Sequence, residues 1–175
     1  MNEMSEERLT LVLADLAGYT RTVQNLDALA SAEFLERYYA ICAEEIGSRG
    51  GRIVKWLGDA CLAVFPVDRT TDAVSSVEAV EARCDRELDK QLGASVHVAT
   101  VAAGMIGPEG ARGYDVIGSG VNHLFLMRRG RVEFRISEPV YRQLDDERRS
   151  AWHKDKPPAS YVHRSGNAPA RRTTR

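Results

Sequence analysis

The 175 residues are enough for one domain with a proper core and too few for two. A composition of 43% hydrophobic and 28% charged residues is that of a folded globular chain, neither disordered nor fibrous. With 24 basic and 25 acidic side chains the net charge is −1, so no global field draws the chain to nucleic acid or to a membrane, and an anion site must be built from local donors. Cys42, Cys61 and Cys84 are odd in number and lack CxxC spacing, which predicts buried, reduced thiols. The first residues, MNEMSEER, are polar and acidic, and no apolar run approaches the roughly 18 residues of a membrane span. Neither a signal peptide nor a membrane segment is expected, and the expected setting is cytoplasmic.

Leu9 to Ala14 is almost continuously apolar, as in a strand buried on both faces. Gly18, Tyr19 and Thr20 form a turn leading to a helical stretch from Ala28 to Ile46, where Phe34, Leu35, Tyr38, Ile41, Cys42 and Ile46 mark one apolar face. Gly47 to Gly51 ends that helix. Arg52 to Trp56 and Ala60 to Phe65 read as strands of a hairpin turning at Leu57-Gly58-Asp59. Asp68 to Leu92 reads as a charged helix capped by Asp68 or Thr70. Val96 to Ala103 is a strand, the glycine-rich Gly104 to Gly113 a loop or hairpin, and Tyr114 to Ile117 a short strand. Helix Val121 to Arg128, strand Val132 to Ile136, and helix Glu138 to Leu144 capped by Ser137 follow, with an edge strand near Tyr161.

The order β-α-β-β-α-β matches the split βαβ, ferredoxin-like pattern: an α+β sandwich with a central, mostly antiparallel sheet and flanking helices. Residues 8–163 are expected to form the domain, with 1–7 an N-terminal extension and the small, basic segment 164–175 a flexible tail.

Two carboxylates stand out. Asp15 ends the first strand and Asp59 sits in the hairpin turn that this fold pairs beside it. A lone Asp after a strand is commonly a turn or cap residue. Two facing each other repel unless a cation lies between them, which suits hard divalent ions carrying a polyphosphate. The backbone amides of Ala17 to Thr20, read as a helix N-terminus, would suit the phosphates.

Three ordered blocks then carry a resemblance. DLAGYT resembles the D-x-x-G-F/Y-T motif of class III nucleotidyl cyclases, the adenylate and guanylate cyclase catalytic domain. GGRIVKWLGDACLAVFP and AAGMIGPEGARGYDVIGSGVN are similar to that family's next two segments, so the likeness spans roughly Leu9 to Leu144. The resemblance implies two divalent cations, Mg²⁺ or Mn²⁺, on Asp15 and Asp59 with the Leu16 carbonyl. It implies a triphosphate over Gly18, Tyr19 and Thr20, and ribose orientation by Asn122. Lys55 and Asp115 fall on the base-reading pair that in the family selects adenine, the lysine donating to N1 and the carboxylate accepting from the amino group. The implied activity is an adenylate cyclase, a phosphorus–oxygen lyase: the ribose 3′-hydroxyl of ATP attacks the α-phosphate and releases pyrophosphate, in active sites shared across a homodimer.

One position departs. Four residues beyond Asn122, where the family carries a transition-state arginine, this chain has Leu126. Arg128 and Arg129 are the nearest substitutes, and Lys154 loosely matches a late phosphate-binding lysine. Losing such a donor typically lowers rate by about 10²–10³-fold. Two alternatives therefore stand: a cyclase of the same fold acting on GTP or a pyrimidine nucleotide, and a weakly active or inactive nucleotide-binding regulatory domain. No GG[DE]EF-like loop supports diguanylate cyclase chemistry. Of the histidines, His97 is expected to be a strand residue with a satisfied hydrogen bond. Trp56 and Tyr114 flank the base-reading positions.

Overall fold

The computed structural model of the protein describes residues 4–128, 132–155 and 160–163. Its first half runs β1 (Met4–Leu16), α1 (Tyr19–Val23), α2 (Ala28–Gly47), β2 (Arg52–Trp56), β3 (Ala60–Pro66) and α3 (Thr70–Arg83). Then come β4 (Leu92–Ile106), β5 (Gly113–Ile117), α4 (Ser119–Met127), β6 (Phe134–Ser137), α5 (Glu138–Tyr141), α6 (Asp146–Arg149), β7 (Trp152–Asp155) and β8 (Ser160–His163). The strands form one sheet in the order β2-β3-β1-β4-β6-β8-β7, with β5 also on β4. Among the described residues only β4 and β6 pair in parallel. The α+β sandwich with a mostly antiparallel sheet is as expected.

From Thr10 to Ala14 β1 is buried on both faces, which is why this stretch shows no polar alternation. Leu11 and Leu13 pack on one face with Leu62, Val101, Val116 and Leu124. Val12, Ala14 and Leu16 pack on the other, under α2 and α3, with Tyr38, Ile41, Val74 and Val77. The strand is longer than its apolar run. It begins at Met4, whose register partner is Gly104, because β4 extends as a continuous partner from Leu92 to Ile106.

Several boundaries differ from expectation, each for a local reason. The stretch read as one helix from Asp68 to Leu92 divides into a 3-10 turn at Val67–Arg69, α3, and a π turn at Cys84–Leu88. Asp89, left-handed at φ 53°, ends it and frees Leu92 for the sheet. Neither expected cap acts on α3: the Thr70 hydroxyl instead donates to the Val67 carbonyl and pairs with Thr10 at 2.7 Å. Ser137 precedes α5 without capping it, and its Oγ is buried with no partner among the described residues. Asp27 does cap α2, accepting from the Ala30 amide at 2.8 Å. All three cysteines are free and buried, as expected. Among the described residues no helix is long and apolar enough to cross a membrane.

α4 lies directly on β4. A Cβ built on Gly120 would overlap the Cβ of Ala99, so only glycine permits this approach. Beneath the same helix His97 packs its ring 4.8 Å from that of His123. Contrary to expectation its Nδ1 is buried and finds no hydrogen-bond partner among the described residues. Burial, helped by the neighbouring His123, pushes the His97 pKa down from 6.5 to about 4.

Gly120→Ala is therefore expected to destabilise the domain by about 1–3 kcal/mol, read from urea unfolding. The folded His97 resists a proton that the unfolded chain accepts below pH 6.5, so its contribution is intact above pH 6.5 and is lost as pH falls toward 4. Unfolding free energy should fall by about 1–2 kcal/mol between pH 7 and 5, and His97→Phe should flatten that slope. An unchanged slope would remove His97 as its source.

Candidate active site

The C-terminal end of β1 is fastened to the β2–β3 turn by backbone alone. Asp15 is the register partner of Ala60, and the Leu16 amide donates to the Asp59 carbonyl at 2.8 Å. The turn is the tight one expected: Leu57 N–H reaches the Ala60 carbonyl at 2.7 Å and Gly58 takes φ 67°. The two carboxylates are thus brought together by sheet register and not by flexible side chains. Burial first, then the charge of Asp15, pushes the Asp59 pKa up, while its own amide and Arg128 pull it down.

Both aspartates line a cleft of about 950 Å³ with Leu16, Ala17, Gly18, Tyr19, Thr20, Arg21, Gln24, Gln91, Arg128 and Val132. The motif glycine, Gly18, is left-handed at φ 77° and opens α1. α1 is a five-residue helix, separate from α2, and therefore a weaker dipole than a long helix. One expected donor is taken: the Ala17 amide donates to the Gln91 carbonyl at 2.9 Å.

The Arg128 Nη1 pairs with the Asp15 Oδ2 at 2.6 Å, with 18% and 28% of the two side chains exposed. Arg128 Nε is buried with no partner among the described residues. Arg128 thus stands in the carboxylate cleft, not beside Asn122 where a replacement for the family's arginine would lie. Arg129 is outside the described residues.

A second, smaller cleft of about 270 Å³ is lined by Lys55, Asp115, Val116, Ile117, Gly118, Val121 and Asn122. Lys55 Nζ donates to Asp115 Oδ2 at 2.7 Å, and Asp115 Oδ1 accepts from the Val116 amide at 2.7 Å. β2 and β5 stand four places apart in the sheet, so this contact needs the sheet to curl, and the β2–β3 pairing does slip between Ile53 and Lys55. Leu126 is 73% exposed and lines neither cleft. Lys154 is exposed on β7 opposite Tyr161 and also lines neither. Trp56 stacks on Tyr39 at 4.0 Å and Tyr114 lies under the Arg52 guanidinium at 3.7 Å, so neither lines the base-reading cleft. Residues that sequence reasoning missed are Gln91, just before β4, Gln24, at the end of α1, and Arg21, within α1, which line the cleft without motif spacing.

Among the described residues no three His, Cys, Asp or Glu side chains gather at a metal-binding spacing. Two carboxylates without a third ligand side chain fit Mg²⁺ better than a dedicated protein cage does. Mg²⁺ keeps several waters and is held by one or two carboxylates plus substrate phosphates. Burial first and the Asp15 charge second raise the Asp59 pKa, and a cation between the two carboxylates would relieve the second of these.

No protein-family profile matches the chain. An adenylate cyclase of Streptomyces coelicolor is 32% identical over 120 residues, 69% of this chain and 29% of that protein. An uncharacterized protein of Mycobacterium tuberculosis is 32% identical over 123 residues, 67% of this chain and 23% of the relative. The chain thus spans about a quarter of the length of the curated relatives it matches. Among solved structures, the adenylyl cyclase CyaB of P. aeruginosa superposes with a TM-score of 0.80 at 19% identity, over 98% of this chain and 99% of that one. The guanylyl cyclase Cya2 gives 0.73 at 20% identity, over 92% and 93%. The expected likeness to class III cyclase catalytic domains is borne out, and both base specificities occur among the structural neighbours.

If the Asp15–Asp59 pair is electrostatically strained, Asp59→Asn should stabilise the ligand-free protein at pH 7 by roughly 0.5–1 kcal/mol. A thermal midpoint lower than that of the parent protein would instead make Asp59 a structural turn residue.

Proposed function

We propose that this chain, which has the fold of class III nucleotidyl cyclase catalytic domains, converts ATP to 3′,5′-cyclic AMP and pyrophosphate in sites shared between two copies. The observation that carries the reading is the division of the required groups. One chain presents the carboxylate pair in one cleft and Lys55, Asp115 and Asn122 in another, with no lining residue in common. A two-fold dimer that sets the first cleft of one copy against the second of its partner completes two equivalent sites.

Within such a site Lys55 and Asp115 are already fixed by their mutual ion pair, and Asp115 is held further by the Val116 amide. Their donor and acceptor suit adenine, which presents N1 as an acceptor and an amino group as a donor. Guanine presents the reverse. Asn122, exposed on α4 beside this pair, would hold the ribose. The amides of Gly18, Tyr19 and Thr20 would receive the pyrophosphate portion. Arg128 and Arg21 line the same cleft and add positive charge there from the subunit that supplies the carboxylates. Asp15 and Asp59 would hold two Mg²⁺ or Mn²⁺ ions, which when bound neutralise phosphate charge and acidify the 3′-hydroxyl. The hydroxyl oxygen forms the new bond to the α-phosphorus, the bond to the β-phosphate oxygen breaks, and the hydroxyl proton passes to solvent.

The exposed Leu126 favours a second reading, a nucleotide-binding regulatory domain with little turnover. Purified protein with Mn²⁺ and ATP, GTP, CTP or UTP decides between them. Cyclic AMP from ATP alone, abolished in Asp59→Ala, is expected. ATP binding without any cyclic product would leave the regulatory reading. Sharing is tested by mixing Asp59→Ala with Lys55→Ala. Each is inactive alone, and an equal mixture should recover about a quarter of the parent activity, because half the dimers are mixed and each holds one intact site. No recovery would place the whole site in one chain.

A further inference from the structure

The proposed reading requires Asp15 to hold a cation, yet the structure gives Asp15 a protein cation already. Arg128 follows the end of α4 in extended geometry, φ −71° and ψ 123°, and its side chain lines the carboxylate cleft. There Nη1 meets Asp15 Oδ2 at 2.6 Å with less than a third of either side chain exposed. Asp59, on the adjoining turn, lines the same cleft as this ion pair. The Arg128 Nε is buried and finds no partner among the described residues. A charge-assisted contact this short and partly desolvated is stronger than an exposed surface pair.

We propose that Arg128 is a built-in counter-cation of Asp15 that a divalent ion must displace, so that this arginine sets the metal affinity of the site and is released toward the phosphates when the metal binds. The proposal rests on the reading of Asp15 and Asp59 as metal ligands. Guanidinium and metal cannot both occupy the same carboxylate oxygen without bringing like charges together. Coupling is reciprocal: whatever the metal loses in breaking the ion pair, the freed arginine makes available to an incoming triphosphate. A metal-triphosphate complex is therefore favoured over the bare metal, since the complex supplies the arginine with new oxygen acceptors in the same cleft.

The test is Mn²⁺ binding to the full chain without nucleotide, followed by electron paramagnetic resonance of the free ion, for the parent, Arg128→Gln, Arg128→Lys and Asp15→Asn. Circular dichroism and the thermal midpoint establish that each variant folds. Arg128→Gln is expected to bind Mn²⁺ roughly three- to tenfold more tightly than the parent. Arg128→Lys should fall between the two, and Asp15→Asn should bind least. Turnover should move the other way in Arg128→Gln, which a merely structural arginine would not produce, since loss of folding lowers metal affinity and turnover together. Unchanged or weaker Mn²⁺ binding in a folded Arg128→Gln protein, with Asp15→Asn still abolishing it, would overturn the counter-cation and leave the metal site standing. Absence of Mn²⁺ binding in both parent and Arg128→Gln would overturn the metal reading together with this one.

Discussion

The structure depends on one constraint: a strand with no solvent-facing side must still deliver a charge to solvent at its end. From Leu9 onward β1 is covered by α2 and α3 on one face and by α4 on the other, so its side chains from Leu9 to Ala14 are apolar or, like Thr10, paired inside the core. Asp15 follows half-buried, between the buried Ala14 and Leu16, with 28% of its side chain exposed. Because β3 and β4 hold β1 on both sides over most of its length, the Asp15 backbone cannot drift. The rigidity that the core requires is therefore the same rigidity that a metal pair needs, and the Leu16-to-Asp59 backbone bond carries it across to the second carboxylate.

A fixed carboxylate pair is an electrostatic liability, and the chain answers it in three ways. The Asp59 amide and Arg128 both favour its charged form, Arg128 pairs with Asp15, and the cleft stays open to water. The base-reading pair is solved differently. Lys55 and Asp115 neutralise each other at 2.7 Å while the ammonium keeps further donors and the carboxylate further acceptor capacity. On the proposed function one cleft would take a cation and an anion together, the other a neutral ring. That difference in chemistry follows from where the sheet ends: β1 stops against polar turns, whereas β2 and β5 meet over a curled edge walled by Val116, Ile117 and Val121.

How much of this was legible in the sequence varies with the range of the interaction. The buried stretch of β1 and the hairpin at Gly58 are set by neighbours in the chain, and a continuous apolar run and a glycine announce them. The metal-position aspartates and the Lys55–Asp115 pair were legible through motif order, and the structure brings each pair together. Boundaries failed where a tertiary partner overrode local pattern. Met4 to Glu7 are polar yet pair with β4, and Leu88 to Leu92 carry helical spacing yet are unwound by Asp89 into the sheet. The occupied Ala17 amide and the orphaned His97 nitrogen depend on what packs opposite them, which no local pattern encodes.

The position of Arg128 decides which chemistry its charge can serve. Successive residues of a helix turn by about 100°, so Asn122 and Leu126 differ by about 40° and share a face, whereas Arg128 comes after Met127, the last residue of α4, in extended backbone. Moving an arginine two places along the chain therefore does not shift it within the ribose-binding cleft. It transfers the charge to the carboxylate cleft, where the chain's own Asp15 waits. In a shared-site dimer the consequence is larger than two residues suggest, because the two clefts of one chain would serve different active sites. In such a dimer an arginine on the Asn122 face would act on the partner's phosphates, while Arg128 would act on those held by its own carboxylates. The positive charge would then come from the subunit that supplies the carboxylates, and would be sensitive to whatever binds Asp15.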